Sequence, residues 1–336
     1  MLVVAAPDAF GGTATASEVA AAIAKAAAVA GAGCDVAPVA GGGEGILEAL
    51  GGTARVATVR GPLGEPVAAE WRVRDDGTAV VEVARVSGLA LAGGPEGNDP
   101  LRASTAGTGE LIAAALDAGA RRVIVGAGGS ASTDGGLAAL TALNPRRRLH
   151  AGVELIVACD VDTLFVDAAE VFGPQKGATP AQVALLRRRL ERLAQVYLRD
   201  YGVDVTELAG SGAAGGLAGG LAAAGAELVP GFDVVAEALS LPERIAGAGL
   251  VVTGEAVLDA ESFDGNPVGG VVELAVAAGV PVLVLAGDVL TGELPELPAS
   301  VEVVSLAARF GPERVLADIA GCVGEVVVPA IRGLAR

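Results

Sequence analysis

The sequence predicts an α/β protein of two domains, one built on a parallel sheet and the other inserted into it. Three observations carry that expectation. At both ends of the chain, short apolar runs pass into glycine loops and then into helical segments. Between Ala54 and Leu91 the apolar period falls to two, with Gly61-Pro62 and Asp76-Gly77 as turns, as antiparallel strands require. Beyond Leu250 strands alternate with helices again, so the two ends complete one sheet around an inserted middle. The predicted domains are residues 1–66 plus 231–336 and residues 67–230.

Taken in order, Leu2 to Ala6 is an apolar strand ending at Pro7-Asp8. Thr15-Ala16-Ser17-Glu18 is a capping box, in which hydroxyl and carboxylate each accept from an orphan amide, and it opens an Ala-rich helix to about Ala30. Asp35 to Val39 is a second strand, followed by Gly41-Gly42-Gly43-Glu44-Gly45 and a helix through Leu50. Each of these strand–loop–helix units holds an acid in its loop, where a parallel sheet collects its ligands. Glu110 to Ala118 reads as helix. The β-branched run Val123 to Val125 breaks into Gly126, Gly128, Gly129, Ser130, Asp134, Gly135 and Gly136, and the helix Leu137 to Leu143 follows. Amides gathered at such a strand-to-helix turn can hold an anion; the plain alternative is a tight turn without a ligand. Val153 to Ala158 is a strand ending in Cys159-Asp160-Val161-Asp162. The loop Val171 to Gly177 contains Lys176, and Thr179-Pro180 then starts a long helix to about Leu198. Gly210 to Gly216 is another glycine loop, and Phe232 to Ala246 is helical. The strands Leu250 to Val252 and Val282 to Leu285 end at Thr253-Gly254-Glu255 and Gly287-Asp288.

Composition removes several classes of function. Over 336 residues the chain is 52% hydrophobic but only 3% aromatic, so its core must be Ala, Val and Leu. A net charge of −17 opposes a nucleic-acid partner, which needs basic patches. Cys34, Cys159 and Cys322 are too scattered for a disulfide framework or a zinc site. His150, beside Arg146 to Arg148, is the single histidine, and it leaves no set for a His-ligated metal or a Ser-His-Asp triad. No leader and no uninterrupted apolar span of membrane length is present, so no membrane partner and a cytoplasmic location are expected.

No Walker A sequence occurs; the two lysines, Lys25 and Lys176, both lie outside that pattern. Gly210, Gly212 and Gly215 match the dinucleotide fingerprint, but the preceding Val205 to Leu208 makes a poor strand, so a dinucleotide-dependent oxidoreductase rests on three glycines. The stronger pattern is acidic: Asp8, Glu44, Asp134, Asp160, Asp162, Glu255, Asp259 and Asp288 all stand at expected strand ends or in loops. Singly these are solvated carboxylates and caps. With several glycine loops, they suit Mg²⁺ and phosphate chemistry: carboxylates hold the ion, amides cradle phosphate, and one carboxylate accepts a hydroxyl proton. Lys176, the one lysine in a glycine loop, is the natural cation for a transferred phosphate.

Nine motifs in order carry a resemblance. They are Ala-Pro-Asp (6–8), Gly-Gly-Glu-Gly (42–45), Gly-Pro-Leu-Gly-Glu-Pro-Val (61–67), Gly-Thr-Gly-Glu-Leu-Ile (107–112), Gly-Gly-Ser-Ala (128–131) with Asp-Gly-Gly (134–136), Cys-Asp-Val-Asp (159–162), Val-Phe-Gly-Pro-Gln-Lys-Gly-Ala (171–178), Gly-Ala-Ala-Gly-Gly (212–216) and Thr-Gly-Glu (253–255). Together the chain closely resembles the type I glycerate kinases. The resemblance implies a glycerate-kinase-like α/β fold, one domain Rossmann-like and the second inserted. It also implies ATP and Mg²⁺, and transfer of phosphate to a hydroxyl of D-glycerate or a related small hydroxy acid. On that reading Asp160 or Asp162 is the base and Lys176 the phosphate-facing cation. Asp8, Glu44, Gly128, Gly129, Ser130, Asp134, Gly135, Gly212, Glu255 and Asp259 contact substrate or nucleotide, and Asp134 and Asp160 hold Mg²⁺. Asp134, Asp160 and Lys176 are expected to converge on one crevice. A homodimer is left open.

The departures from the family pattern are specific. Gly11 stands where the family's Ser-Phe-Lys-Gly has its lysine, and Gly41 where Ala-Asp-Gly-Gly-Glu-Gly has its aspartate. Thr133 and Thr163 replace asparagines, Val257 an arginine, Asn266 a lysine and Asp264 a histidine. Phosphoryl transfer depends on charge set against anionic oxygens. The alternative is therefore a degenerate, non-catalytic relative acting by ligand or partner binding.

Overall fold

The computed structural model describes residues 1–149, 152–263, 265–290 and 294–334; His150 and Asp264 lie outside the described residues. The described strands, in chain order, are β1 (Leu2–Ala5), β2 (Gly33–Val36), β3 (Thr53–Arg60), β4 (Pro66–Val73), β5 (Ala79–Glu82), β6 (Arg122–Gly126), β7 (Glu154–Cys159), β8 (Glu227–Pro230), β9 (Leu250–Leu258), β10 (Val282–Val289) and β11 (Val301–Ser305). The chain divides into two compact units, Met1–Ala40 with Phe232–Arg336, and Gly41–Gly231.

The first unit is a sheet of order β11-β10-β9-β1-β2 in which every neighbouring pair is parallel. Val3, Val4 and Ala5 of β1, between β9 and β2, are wholly buried, as a strand covered on both faces demands. The helix Ala16–Val29 is opened by the expected box: Thr15 accepts from the Glu18 amide at 3.2 Å, and Glu18 accepts from the Thr15 amide at 2.8 Å. Its buried stripe, Val19, Ala20, Ile23, Ala26 and Ala27, packs with Val323, Val327 and Ile331 of the helix Ile319–Leu334. Burying each of the larger side chains is worth about 1.5–3 kcal/mol. Asp35 on β2 holds Arg244 in a two-pronged pair, at 2.6 and 2.8 Å.

Four expectations for this unit change. β2 is Gly33–Val36, not Asp35 to Val39, and β10 runs past Leu285 to Val289, so Asp288 sits within a strand. β9 does not stop at Val252 but runs to Leu258, because it stays in register with β10 as far as Leu258↔Val289. Glu255 therefore sits within a strand. The stretch Phe232 to Ala246 is broken at Ser240, whose φ of 50° separates the helices Gly231–Ala238 and Leu241–Ala246.

The second unit is a mixed sheet of order β3-β4-β5-β6-β7-β8, antiparallel from β3 to β5 and parallel from β5 to β8. The period-two stretch forms the antiparallel part, as its alternation predicts. The segment 41–66 belongs here and not with the first unit: β3 pairs with β4 along its whole length, from Thr53↔Val73 to Arg60↔Pro66, so a boundary at Pro66 would cut a ladder. β8 and β11 are not legible as strands in the sequence. Val205 to Leu208 form no strand, so the Gly210–Gly215 fingerprint lacks the element it needs. The core gathers Leu186, Leu190 and Tyr197 from the helix Pro180–Tyr201 with Phe165 and Leu217. Among the described residues no helix is long and apolar enough to cross a membrane.

Candidate active site

The site is built where the parallel strands β6 and β7 end side by side, with Gly126 opposite Ala158. The two chain exits therefore leave the sheet at the same edge: Ala127 to Ser130 after β6, and Asp160 after β7. The Ala127 amide donates to the Ala158 carbonyl at 3.0 Å and keeps these exits together. Between them passes the loop that carries Glu44. A Cβ on Gly43 would stand 3.0 Å from Asp160 Oδ2 and 3.2 Å from Gly128 Cα. Glu82, the last residue of β5 and only 3% exposed, fixes this loop by accepting from the Gly45 amide at 3.2 Å and the Leu47 amide at 3.4 Å. Burial raises its carboxyl above the ordinary range, and Arg85, 3.4 Å away, pulls the other way.

The loop after β6 is pinned from its other side. The Leu89 amide donates to the Gly129 carbonyl at 2.8 Å, and the Ala131 amide to the Ser87 carbonyl at 2.9 Å. Gly129 has φ +63°, and a Cβ there would approach Glu44 Oε1 to 2.3 Å, so both backbone and space call for glycine. The amides of Gly128, Gly129 and Ser130 donate to no acceptor among the described residues.

Lys176 closes the floor. It ends a single 3₁₀ turn, Pro174–Lys176, and its carbonyl accepts from Asn98 Nδ2 at 2.9 Å. Its ammonium donates to Ser130 Oγ at 2.9 Å and to the Ser132 carbonyl at 2.7 Å, with the Phe172 ring centroid 5.9 Å away. The residue is 4% exposed, and burial drives its ammonium down to about 7, against the opposing pull of Asp134. Glu44, Gly128, Gly129, Ser130, Asp160 and Lys176 together line a cavity of about 490 Å³. Packing around the Asp160 carboxylate, with the charge of Glu44 added, raises its pKa although part of the residue stays exposed.

The model of the glycerate kinase family matches residues 3–148 and 144–313 of this sequence. The chain belongs to the glycerate kinase family. It is 39% identical to the glycerate 2-kinase of Escherichia coli over 269 residues, 70% of each chain. It is 42% identical to an uncharacterised protein of Mycobacterium bovis over 336 residues, 95% of this chain and 88% of that one. A crystal structure assigned as a glycerate kinase 2, from Salmonella typhimurium LT2, superposes with a TM-score of 0.81 at 34% identity, covering 100% of this chain and 97% of the other. The mixed α/β fold with its parallel sheets is thus that of a glycerate kinase.

Within this glycerate-kinase-family chain the expected site residues separate. Asp160, Lys176, Glu44, Gly128, Gly129 and Ser130 share one cavity. Asp134 does not join them. Both its oxygens are taken by the Thr105 hydroxyl, the Thr105 amide at 2.9 Å and the Gly136 amide at 3.0 Å. It borders a different cavity, of about 410 Å³, against Leu186, Leu190 and Leu193. The expectation of an ion shared by Asp134 and Asp160 is corrected accordingly, and among the described residues no group of three or more His, Cys, Asp or Glu is arranged for a metal. Asp162 is exposed and outside the lining. Gly135 and Gly212 serve packing: a Cβ on Gly135 would meet Leu193 at 2.5 Å, and one on Gly212 the Leu164 carbonyl at 2.5 Å.

Asp8, Glu255 and Asp259 lie in the first unit, near enough that the two aspartates raise the Glu255 carboxyl. Burial is the larger cause and takes it to about 6, with Ser262 opposing. Sequence reasoning missed Glu82, Thr105 and Asn98. An acid inside the apolar run Ala79-Val80-Val81-Glu82 was a usable signal for the first; nothing in sequence marks the other two, which act through contacts 29 or more positions away.

Proposed function

We propose that this chain is an ATP-dependent kinase that phosphorylates a hydroxyl of a small hydroxy acid, D-glycerate first among them. One observation carries the reading: three amides without an acceptor among the described residues, a buried lysine and a carboxylate of raised pKa share a single cavity. Unpaired amides above a buried cation suit the oxygens of a phosphate, and bound anionic charge would hold Lys176 protonated. Asp160, its pKa raised toward the working range, is the candidate acceptor for the substrate's hydroxyl proton. The charge of Glu44 on Asp160 is what a divalent cation would relieve. Mg²⁺ would be held by Glu44, with water and phosphate oxygens completing its shell, and would supply neutralisation of phosphate charge.

The non-catalytic reading has its own support. The family charges missing at Gly11, Val257 and Asn266 fall in the first unit, and Gly41 opens the second, in which the motifs at 128–136, 159–162 and 171–178 are largely intact apart from Thr133. The test is a phosphotransfer assay of the purified chain with ATP, Mg²⁺ and D-glycerate, then a panel of hydroxy acids. Phosphoglycerate supports the kinase. Silence across the panel, with ATP·Mg²⁺ still binding by calorimetry, favours the degenerate relative.

A further inference from the structure

We propose that the cavity beside Asp134 is a second ligand site, for an organic acid with one carboxylate and an apolar body, and that its occupant acts on phosphotransfer as an effector. The binding is independent of the kinase reading; the effector role rests on it. The cavity, of about 410 Å³, lies wholly within the unit Gly41–Gly231. It sits between the helix Pro180–Tyr201 and the segments that hold Pro100, Ala103 and Leu137. Its volume suits a small organic molecule.

The walls fit such a molecule. One face of the helix supplies Leu186, Leu190, Leu193 and Val196 at three- and four-residue spacing, so they form a continuous apolar stripe. Leu137, on the wall of the same cavity, is 49% exposed and has apolar surface to cover. Arg189 and Arg192, both exposed, stand at the rim on one face of the helix. Elsewhere on this helix Arg187 meets Asp167, Glu170 and Glu191, and Arg199 meets Asp200. Arg189 donates only to the Leu101 carbonyl, at 3.1 Å, and Arg192 to no acceptor among the described residues. Acids outnumber lysines and arginines 40 to 23 in this chain, yet these two guanidinium groups have no carboxylate among the described residues. Set over an apolar cavity, they are the complement of an acidic ligand.

The inner end fixes the orientation. Asp134 lines it with both oxygens already accepting from Thr105 and Gly136, so its charge repels a second carboxylate. The cation whose charge acts on Asp134 is Lys176 and not either rim arginine. The carboxylate of the ligand therefore belongs at the arginines, with its body running inward. Thr133 lines the cavity too, and its buried hydroxyl has no hydrogen-bond partner among the described residues, a polar group that the protein alone leaves unsatisfied. One short stretch of chain separates this cavity from the site of transfer. Ser130 borders that site, and Thr133 and Asp134 border this one. Between them the Ser132 carbonyl accepts from the Lys176 ammonium at 2.7 Å. An occupant pressed against Thr133 and Asp134 thus acts on the group that holds Lys176.

The test uses the intact chain, with 3-phenylpropionate and octanoate as probes and 3-phenylpropionamide as the uncharged control, read by calorimetry. The acids are expected to bind more tightly than about 1 mM, and the amide at least about fivefold more weakly than its acid. Arg192→Gln should weaken the acids about five- to tenfold and leave the amide within about twofold. Leu137→Glu, which sets a carboxylate on the apolar wall, should abolish binding of both acids. ATP·Mg²⁺ should not displace them. Absence of binding by both acids, equal affinity for acid and amide, or displacement by ATP·Mg²⁺ overturns the site. In the phosphotransfer assay, saturating 3-phenylpropionate should change the rate with D-glycerate at least about threefold in wild type, and the same concentration should change it much less in Arg192→Gln. An unchanged wild-type rate, or an equal change in Arg192→Gln, overturns the effector role. A chain that binds the acids yet transfers no phosphate with or without them overturns the kinase reading and the effector role, and leaves the site standing.

Discussion

Replacing Lys176 with Met tests the physical core of the site without reference to substrate. The ammonium is almost wholly enclosed and its folded pKa is lowered to about 7 from an ordinary 10.5. At about 1.4 kcal/mol per pH unit, that fall corresponds to about 5 kcal/mol of proton-linked free energy, an upper bound once local relaxation is allowed. The sign comes from proton counts. Below about pH 7 the lysine is charged in folded and unfolded chains alike, and the folded state bears the full cost of burying it. Between about 7 and 10.5 the unfolded chain holds the proton and the folded chain does not, so stability rises with pH. Lys176→Met removes that rise. Its lost hydrogen bonds to Ser130 and Ser132 cost much the same at every pH and cancel in the comparison. Urea unfolding of both proteins at about pH 6.5 and about pH 9.5 should show the variant gaining on wild type by about 3 kcal/mol at the lower pH. Parallel stability–pH curves would refute the claim that this lysine is held largely uncharged, while phosphotransfer by the variant should fall below detection.

Other changes separate the remaining parts. Asp160→Asn should cost about 10²–10⁴ in turnover with nucleotide binding retained, as read by calorimetry beside steady-state rates. Asp134→Ala strands the Thr105 hydroxyl and the Thr105 and Gly136 amides; the expected loss is about 3–5 kcal/mol of unfolding free energy, and a loss below about 1 kcal/mol would mean Asp134 is not the buried hub described. Gly129→Ala places a methyl on Glu44 at φ +63°, so it should cost about 1–2 kcal/mol in stability and weaken Mg²⁺-dependent activity more than thermal midpoint alone accounts for.

Local signals in the sequence were enough for the elements that carry their own punctuation. The box at Thr15 and Glu18, the Thr179-Pro180 start, and the run Val123 to Val125 before its glycines all form as expected, because each depends on contacts within a few residues. The strands β8 and β11 escaped detection for the opposite reason. Glu227-Leu228-Val229-Pro230 gains its strand state from pairing with β7, some seventy positions earlier, and not from any pattern of its own. The acidic residues show the same divide. Asp160 and Glu44 could be picked out as loop carboxylates, but Asp134 looks identical in sequence and turns out to be committed to Thr105. Residue type gave the chemistry of the site; which carboxylate keeps a free oxygen is decided by partners that sequence spacing does not reveal.

The first unit is interrupted in the chain. Val3 of β1 lies beside Leu250 of β9, so the opening strand and the Ala16–Val29 helix emerge from the ribosome long before their sheet can be completed. At about 5–20 residues per second, the wait is on the order of ten to fifty seconds. Residues 41–231 form a contiguous unit and can close up in the meantime. Within that interval β1 can pair with β2, but its other edge, which β9 will occupy, stays open to other nascent chains, which makes residues 1–40 the stretch where synthesis rate and chaperone capture bear most heavily on yield.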